Sequence, residues 1–193
     1  VGPVPADFRV DLRNVRIADF LGAAGPEPAT DGLLGGWVRI GGTARNPAMD
    51  ARFTLGSFRY YDVRLDSIGA DLGYRDRRLT ALVRAVDGGR SIFFGSGTIP
   101  VDLSLADIEQ RRLDEPLRFS LHADSVPAAL PLSFFDAFRD VRGRMDGTLT
   151  LGGTTLRPTL GGEFTLRDGS AVWEAMGVRY RNVQGTFRVV NDS

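Results

Sequence analysis

The chain has 193 residues, among them 24 glycines and 10 prolines, and its 24 basic residues balance 24 acidic ones. That balance argues against a nucleic-acid-binding surface, which requires a clustered excess of basic residues. The absence of cysteine excludes disulfides and thiolate-ligated metal sites.

No apolar run approaches the roughly 20 residues that a membrane-spanning helix needs. The first residues, Val1-Gly-Pro-Val-Pro5, lack both an initiator methionine and the charged and apolar regions of a signal peptide. We therefore expect the chain to be a segment of a longer protein whose targeting elements lie outside it.

Short strands joined by turns are predicted along the first half of the chain. Residues 7–17 alternate apolar Phe8, Val10 and Leu12 with polar side chains, as in a half-buried strand. The Gly-, Ala- and Pro-rich residues 18–34 predict a connection with a short helical turn at 19–23. Further strands are predicted at 36–40, 47–55, 58–65, 68–74, 79–86 and 91–101, the last with a bulge or break at Gly95-Ser-Gly97.

The second half of the chain continues in the same way. A short helix is predicted at 103–113 and another at 133–138, each inside a connection. Strands are predicted at 117–121, within 143–166, and at 170–176, 178–180 and 184–190. Short strands about ten residues apart, with Gly-, Asp- and Pro-rich turns between them, predict an all-β, antiparallel-rich meander.

One stretch occurs twice, 111 residues apart. Gly36-Trp-Val-Arg-Ile-Gly-Gly-Thr43 is followed by Pro47 and Phe53-Thr-Leu55, and Gly147-Thr-Leu-Thr-Leu-Gly-Gly-Thr154 by Pro158 and Phe164-Thr-Leu166. Beyond Leu166 a spacing of 115 pairs Leu72 with Phe187, which predicts a four-residue insertion. A constant spacing indicates repeated units. We predict one continuous repeat-built region over residues 1–193, with units at about 5–100 and 116–190.

The glycines of the repeated stretch predict a turn, because glycine enters positive φ at little steric cost. The apolar side chains around that turn fall on one face of their strands. A fully exposed Leu or Phe forgoes roughly 1.5–3 kcal/mol of burial, so such a face must close on itself, stack or take up an apolar ligand. We predict a lipid-facing groove formed by ten residues: Val38, Ile40, Phe53, Leu55, Phe119, Leu121, Leu149, Leu151, Phe164 and Leu166.

The repeated unit, followed by Val178-Arg-Tyr180 and Asn182-Val-Gln-Gly-Thr-Phe187, resembles the repeat-rich region of the TamB and AsmA-like family of the translocation and assembly module. The resemblance covers about residues 5–190. It implies an elongated, U-shaped β-sheet, open along one side, whose inner face is apolar.

The same resemblance implies a periplasmic protein anchored in the inner membrane by a part of the parent chain. It further implies passage of phospholipid between the inner and outer membranes. A barrel partner of the TamA type in the outer membrane would join it in assembling or secreting outer-membrane proteins.

Residues that could carry catalysis or bind a metal form no recognisable pattern in the sequence. His122, the only histidine, falls on the polar side of its strand. Asp62, Asp66 and Asp71 lack the spacing of a calcium loop, and Gly41-Gly-Thr43 cannot be a phosphate loop because the chain has no lysine. We therefore predict a protein that is not an enzyme and holds neither cofactor nor metal.

Three functions remain open. The first is a conduit for phospholipid acyl chains, which needs no catalytic residue because each acyl chain meets nearly equal surroundings from strand to strand. The second is assistance to outer-membrane or autotransporter proteins, whose unfolded strands would pair with exposed sheet edges. The third is a β-sandwich binding module, in which two apolar faces pack together and leave no groove.

Overall fold

The structure, a computed structural model, describes residues 6–22, 30–60, 63–105, 110–132 and 137–190. They form one antiparallel sheet in which the order of the strands is their order in the chain. The strands are β1 Ala6–Arg16, β2 Thr30–Gly42, β3 Pro47–Tyr60, β4 Val63–Arg75, β5 Arg78–Asp87, β6 Arg90–Pro100, β7 Arg118–Pro127, β8 Phe138–Gly153, β9 Pro158–Trp173 and β10 Val178–Val190. Two short helices, α1 Ile17–Gly22 and α2 Ala129–Leu132, follow β1 and β7.

The sheet is open, because β1 and β10 are its two edges and each inner strand pairs with its neighbours in the chain. The hydrogen-bonded topology of the described residues contains no second sheet. The prediction of an all-β fold with an open, antiparallel sheet and one or two short helices is therefore confirmed.

The repeat is visible in the backbone as well as in the sequence. Four elements of the first copy have a counterpart of the same type 111 residues later: β1 corresponds to β7, α1 to α2, β2 to β8 and β3 to β9. Asn14 and Ser125 both have positive φ, as do Ser57 and Asp168. The pairing of β1 shifts register after Leu12, and the pairing of β7 shifts after the equivalent Ala123. The two copies thus share their irregularities, which chance similarity of composition would not produce.

The Gly-Gly-Thr turn makes the same hydrogen bonds in both copies. Gly42 and Gly153 have φ of 83° and 70°, in the left-handed region that favours glycine. The Asn46 N–H donates to Thr43 Oγ1 at 3.1 Å, and the Arg157 N–H donates to Thr154 Oγ1 at 3.2 Å. The prediction that this stretch is a turn is confirmed.

The last strand, β10, corresponds to β4 of the first copy. Residues that occupy equivalent pairing positions in these two strands are 117 apart in the sequence. Leu55 pairs with Ile68 in the first copy, whereas the equivalent Leu166 pairs with Gly185. The predicted spacing of 115 is wrong because six residues are inserted and not four: the β9–β10 ladder extends two pairs further, to Trp173 and Val178, and four residues (174–177) join the strands where the first copy has two. A slip of two residues leaves every side chain on its original face, since side chains alternate with a period of two.

Several strands are longer than the sequence predicts. The separate strand predicted at 58–65 is wrong: β3 continues to Tyr60 and β4 begins at Val63. Ser57 has positive φ, so the apolar alternation changes phase between Leu55 and Phe58 inside one strand. The strand predicted at 170–176 is likewise the end of β9, followed by a turn.

The predicted break at Gly95-Ser-Gly97 is also wrong, because β6 runs through it. Gly95 pairs there with Leu121 and Gly97 with Phe119, while the register shift of β6 comes nearer its start, opposite Ala85 and Val86. The glycines make room for a neighbouring side chain and do not end the strand.

The helix predictions have mixed outcomes. Of the helical turn predicted at 19–23, residues 19–22 lie in α1, and residue 23 lies outside the described residues. The helix predicted at 133–138 is displaced, since α2 ends at Leu132, residues 133–136 lie outside the described residues and Phe138 begins β8. Of the helix predicted at 103–113, residues 106–109 lie outside the described residues, and those on either side are not helical.

Three glycines lie directly opposite phenylalanines on neighbouring strands. The pairs are Gly36 with Phe53, Gly97 with Phe119 and Gly147 with Phe164. A Cβ atom on Gly97 would lie 2.5 Å from the Phe119 Cα and 2.7 Å from its Cδ2. The Arg118 carbonyl oxygen would be closer still, at 2.2 Å, so the β7 backbone and the aromatic ring together occupy the space that a side chain at Gly97 would take.

We expect Gly97→Ala to lower the free energy of unfolding by about 1–3 kcal/mol, because overpacking would displace Phe119 or the β7 backbone. Urea denaturation followed by circular dichroism measures the change. Gly35→Ala is the matched control, since a Cβ there would have its nearest neighbour, the Leu12 carbonyl oxygen, at 3.8 Å. Equal losses in the two variants would contradict the packing role of Gly97.

Candidate functional site

The ten predicted groove residues lie on one face of the sheet. Paired residues of antiparallel strands point to the same side, and Phe119 pairs with Leu151 as Leu121 pairs with Leu149. The other members join the same side through the pairing of β2 with β3 and of β8 with β9. We call this side the apolar face; it carries Val38, Ile40, Phe53, Leu55, Phe119, Leu121, Leu149, Leu151, Phe164 and Leu166.

Strand pairing aligns the apolar face into rows that cross the sheet. The first row is Phe8, Ile40, Met49, Tyr74, Leu79 and Ile99. The second is Val10, Val38, Ala51, Leu72, Ala81, Gly97, Phe119, Leu151 and Leu160. The third is Leu12, Gly36, Phe53, Ala70, Val83, Gly95, Leu121, Leu149, Gly162 and Val189, and the fourth is Val15, Leu34, Leu55, Ile68, Ala85, Phe93, Ala123, Gly147, Phe164 and Phe187.

Every member of the four rows is apolar, aromatic or glycine. The sequence prediction missed the contribution of β4, β5 and β6, which includes Leu72, Val83 and Phe93, because it followed only the two copies of the repeated stretch. The signal was present, since Ile68, Ala70 and Leu72 alternate with polar or glycine residues along β4. The apolar face is therefore continuous between the two copies.

The middle of the apolar face is not a sealed core. Nine of the ten predicted residues are partly exposed, and Leu166 alone among them is buried. The whole chain exposes 12859 Å², whereas a compact protein of 21.0 kDa exposes about 9,000 Å². The side chains of the second and third rows touch their neighbours within the sheet and keep their outer surfaces accessible.

Buried clusters lie at the two ends of the strands instead. At the helix end, Leu130 of α2 packs against a cluster of Leu65, Ala85, Ile92, Ala123 and Val126. At the opposite end, the connection after β6 covers Tyr74, whose hydroxyl accepts a hydrogen bond from the Leu103 N–H at 2.8 Å. These clusters border the apolar face on both sides, so its open part is a band that runs across the strands.

The opposite face of the sheet is polar and lined by ion pairs. Arg39 contacts Asp7 and Arg75 contacts Asp50, each at 2.7 Å. Hydrogen bonds from Arg16 and from the Gly32 N–H lower the pKa of Asp31 to about 2. Exposed pairs of this kind contribute little stability, because water and salt screen them. Their main effect is to keep this face hydrated while its opposite stays apolar.

The residues with catalytic or metal-binding chemistry are separated or already engaged. His122 is exposed on the polar face, as the sequence predicts. Asp71 contacts Arg52 and Arg84, Asp66 accepts a hydrogen bond from the Gly89 N–H, and Asp62 lies outside the described residues. Within the described ranges no group of three or more His, Asp or Glu residues could hold a metal ion. None of the described helices is long and apolar enough to cross a membrane.

Comparison with known proteins identifies no relative. No family model, no curated protein and no solved structure matches the chain. The resemblance to the TamB and AsmA-like family therefore stays a prediction from the repeated motif.

Truncation of a side chain to alanine should lower stability more in the buried cluster than in the open band. We expect Leu65→Ala to cost about 2–5 kcal/mol of unfolding free energy, because Leu65 is 4% exposed and its loss leaves a cavity. Leu149→Ala should cost about 1 kcal/mol or less, since water already reaches that side chain. Urea denaturation of both variants gives the comparison, and a larger loss for Leu149→Ala would show that the band is core.

Proposed function

We propose that this chain is a segment of a TamB-like protein of the cell envelope, which carries phospholipid acyl chains along its apolar face between the inner and outer membranes. The observation that supports this most strongly is the set of apolar rows, of which the second runs from β1 to β9 and the third and fourth from β1 to β10 without a polar side chain. The parent protein would lie in the periplasm with an inner-membrane anchor. A barrel partner of the TamA type would bind other parts of it.

The dimensions of the apolar face suit an acyl chain. Neighbouring strands lie about 4.8 Å apart, so a row across ten strands is about 43 Å long, longer than the roughly 30 Å hydrocarbon core of a bilayer. An acyl chain along a row removes apolar surface of both partners from water, which is worth about 25 cal/mol per Å². The polar head group remains in solvent because none of the rows offers it a hydrogen-bonding partner.

Movement along the face requires no large energy change from strand to strand. Each row offers aliphatic, aromatic or glycine positions throughout, so an acyl chain that advances by one strand exchanges one apolar contact for another. At the two edges the face stays apolar and accessible, with Phe8 50% and Phe187 54% exposed. An acyl chain can therefore reach either edge strand of this segment, β1 or β10, without leaving apolar surroundings.

Photocrosslinking at paired positions tests this function. Benzoylphenylalanine at Phe53 or Leu149, on the apolar face, should form adducts with phospholipid from phosphatidylethanolamine–phosphatidylglycerol vesicles. The adjacent Thr54 and Thr148 point to the polar face and are the matched controls, where we expect no adduct. Mass spectrometry of the purified full chain reads the result. Adducts of equal yield from both faces, or none from Phe53 and Leu149, would refute the proposal.

Strand addition is a second candidate function, favoured by the exposed edge at β10. This edge strand has 13 residues, and Val178 and Tyr180 are each 42% exposed on it. Edge strands present unpaired backbone groups to an incoming strand. If strand addition is the function, benzoylphenylalanine at Gln184 should crosslink an unfolded outer-membrane barrel protein, while Phe53 and Leu149 give no lipid adduct. The reverse pattern would favour lipid transport.

A further inference from the structure

The polar face carries a cavity of about 630 Å³ that the lipid proposal does not use. It spreads over β1 to β6, with Trp37 at one end and Leu82 toward the other. Trp37 precedes Val38 in β2 and therefore points away from the apolar face. The volume falls within the roughly 300–1,000 Å³ that small-molecule sites occupy.

The Trp37 ring is held in place by its neighbours. The Arg9 guanidinium carbon lies 4.9 Å from the ring centroid, within the range of a cation–π contact. Arg9 is itself fixed by Asp11 at 2.8 Å. Trp37 pairs directly with Asp11 on β1 and with Arg52 on β3. The ring is thus oriented in advance as one wall of the cavity.

Both carboxylates that line the cavity are engaged by arginine. Asp71 contacts both Arg52 and Arg84, and Asp50 contacts Arg75. The Arg75 guanidinium lowers the pKa of Asp50, which therefore stays ionised over the whole neutral range. Arg9, Arg39 and Arg52, the guanidinium groups that line the cavity, each already contact an aspartate, so a phosphate would have to compete with that aspartate. The cavity favours a ligand without net charge.

The polar groups nevertheless require a ligand rich in hydrogen bonds. A purely apolar molecule would separate the carboxylates and guanidinium groups from water without replacing those bonds, which is costly. Vicinal hydroxyls can donate to a carboxylate and accept from a guanidinium at the same time. Thr80 and Thr98 add hydroxyl groups at the edge of the cavity. A sugar ring has an apolar face of C–H groups and a rim of hydroxyl groups. The Trp37 ring suits the face, and the planar carboxylate and guanidinium groups suit the hydroxyls.

We propose that this cavity binds a neutral oligosaccharide of two or three sugar units. One sugar ring packs on the face of Trp37 that Arg9 does not cover, and its hydroxyls hydrogen-bond with Asp50, Arg52 and Asp71. The site lies on the side of the sheet opposite to the lipid-binding band, so the two activities are independent. Binding of a polysaccharide at the polar face would hold the sheet beside it and would leave the apolar face of the sheet free.

Intrinsic fluorescence provides the test, because the chain has two tryptophans, Trp37 and Trp173. The Trp173→Phe variant leaves Trp37 as the only tryptophan. Titration of this variant with the trisaccharides of chitin, cellulose and maltose should give a saturable change with at least one of them. Calorimetry should then find the same affinity in the unmodified chain, since Trp173 lies near the β9–β10 turn, away from the cavity.

Substitutions in the cavity complete the test. Trp37→Ala should weaken binding about tenfold or more, whereas Trp37→Phe keeps an aromatic wall and should change it only a few-fold. Thr165→Ala, on the polar face outside the cavity, should have no effect. Circular dichroism verifies that each variant is folded. No saturable binding up to about 10 mM, equal affinity in Trp37→Ala, or preference for glycerol 3-phosphate over all three trisaccharides would overturn the proposal.

Discussion

In-register pairing between neighbouring strands is the constraint on which both faces of this sheet depend. A slip of one residue in any strand would turn its apolar set toward the ion pairs. The described register shifts, such as those after Leu12, Ala85 and Ala123, all come at the helix end of the strands. The first three apolar rows lie on the regular side of these shifts, and the fourth row borders them, with Val15 just beyond the shift of β1. The irregular end forms a buried cluster, and the regular part presents an uninterrupted surface.

The pairing of large and small residues across strands complements this register. Phe53, Phe119 and Phe164 each lie opposite a glycine, so their rings cover neighbouring backbone without a steric conflict. The apolar side chains therefore gain contacts within the sheet although no second layer covers the middle rows among the described residues. On the polar face the same pairing brings arginine opposite aspartate, as with Arg52 and Asp71. One set of backbone hydrogen bonds thus organises two surfaces with different chemistry.

Alternation along the strands was enough to predict the fold class and the shared face of the ten groove residues. Strand ends were harder to predict, because a bulge such as that at Ser57 changes the phase of the alternation without ending the strand. Leu72 and Val83 were missed because they belong to strands outside the copied stretch. The cavity at Trp37 could not be predicted, since Arg52, Asp71 and Thr80 come together through pairing and not through spacing in the sequence. Similarly, the last spacing of the repeat became clear only from the partner of Leu166.

The equivalence of β1 and β7 gives the sheet a fixed unit of length. They are six strand spacings apart, which is about 29 Å of sheet at 4.8 Å per spacing. A protein built from such units grows in steps of that size, and each step brings one helix and a new copy of the Gly-Gly-Thr turn. Loss of a whole 111-residue unit would shorten the sheet while leaving its rows aligned. Loss of an odd number of residues within a strand would rotate the following side chains to the wrong face.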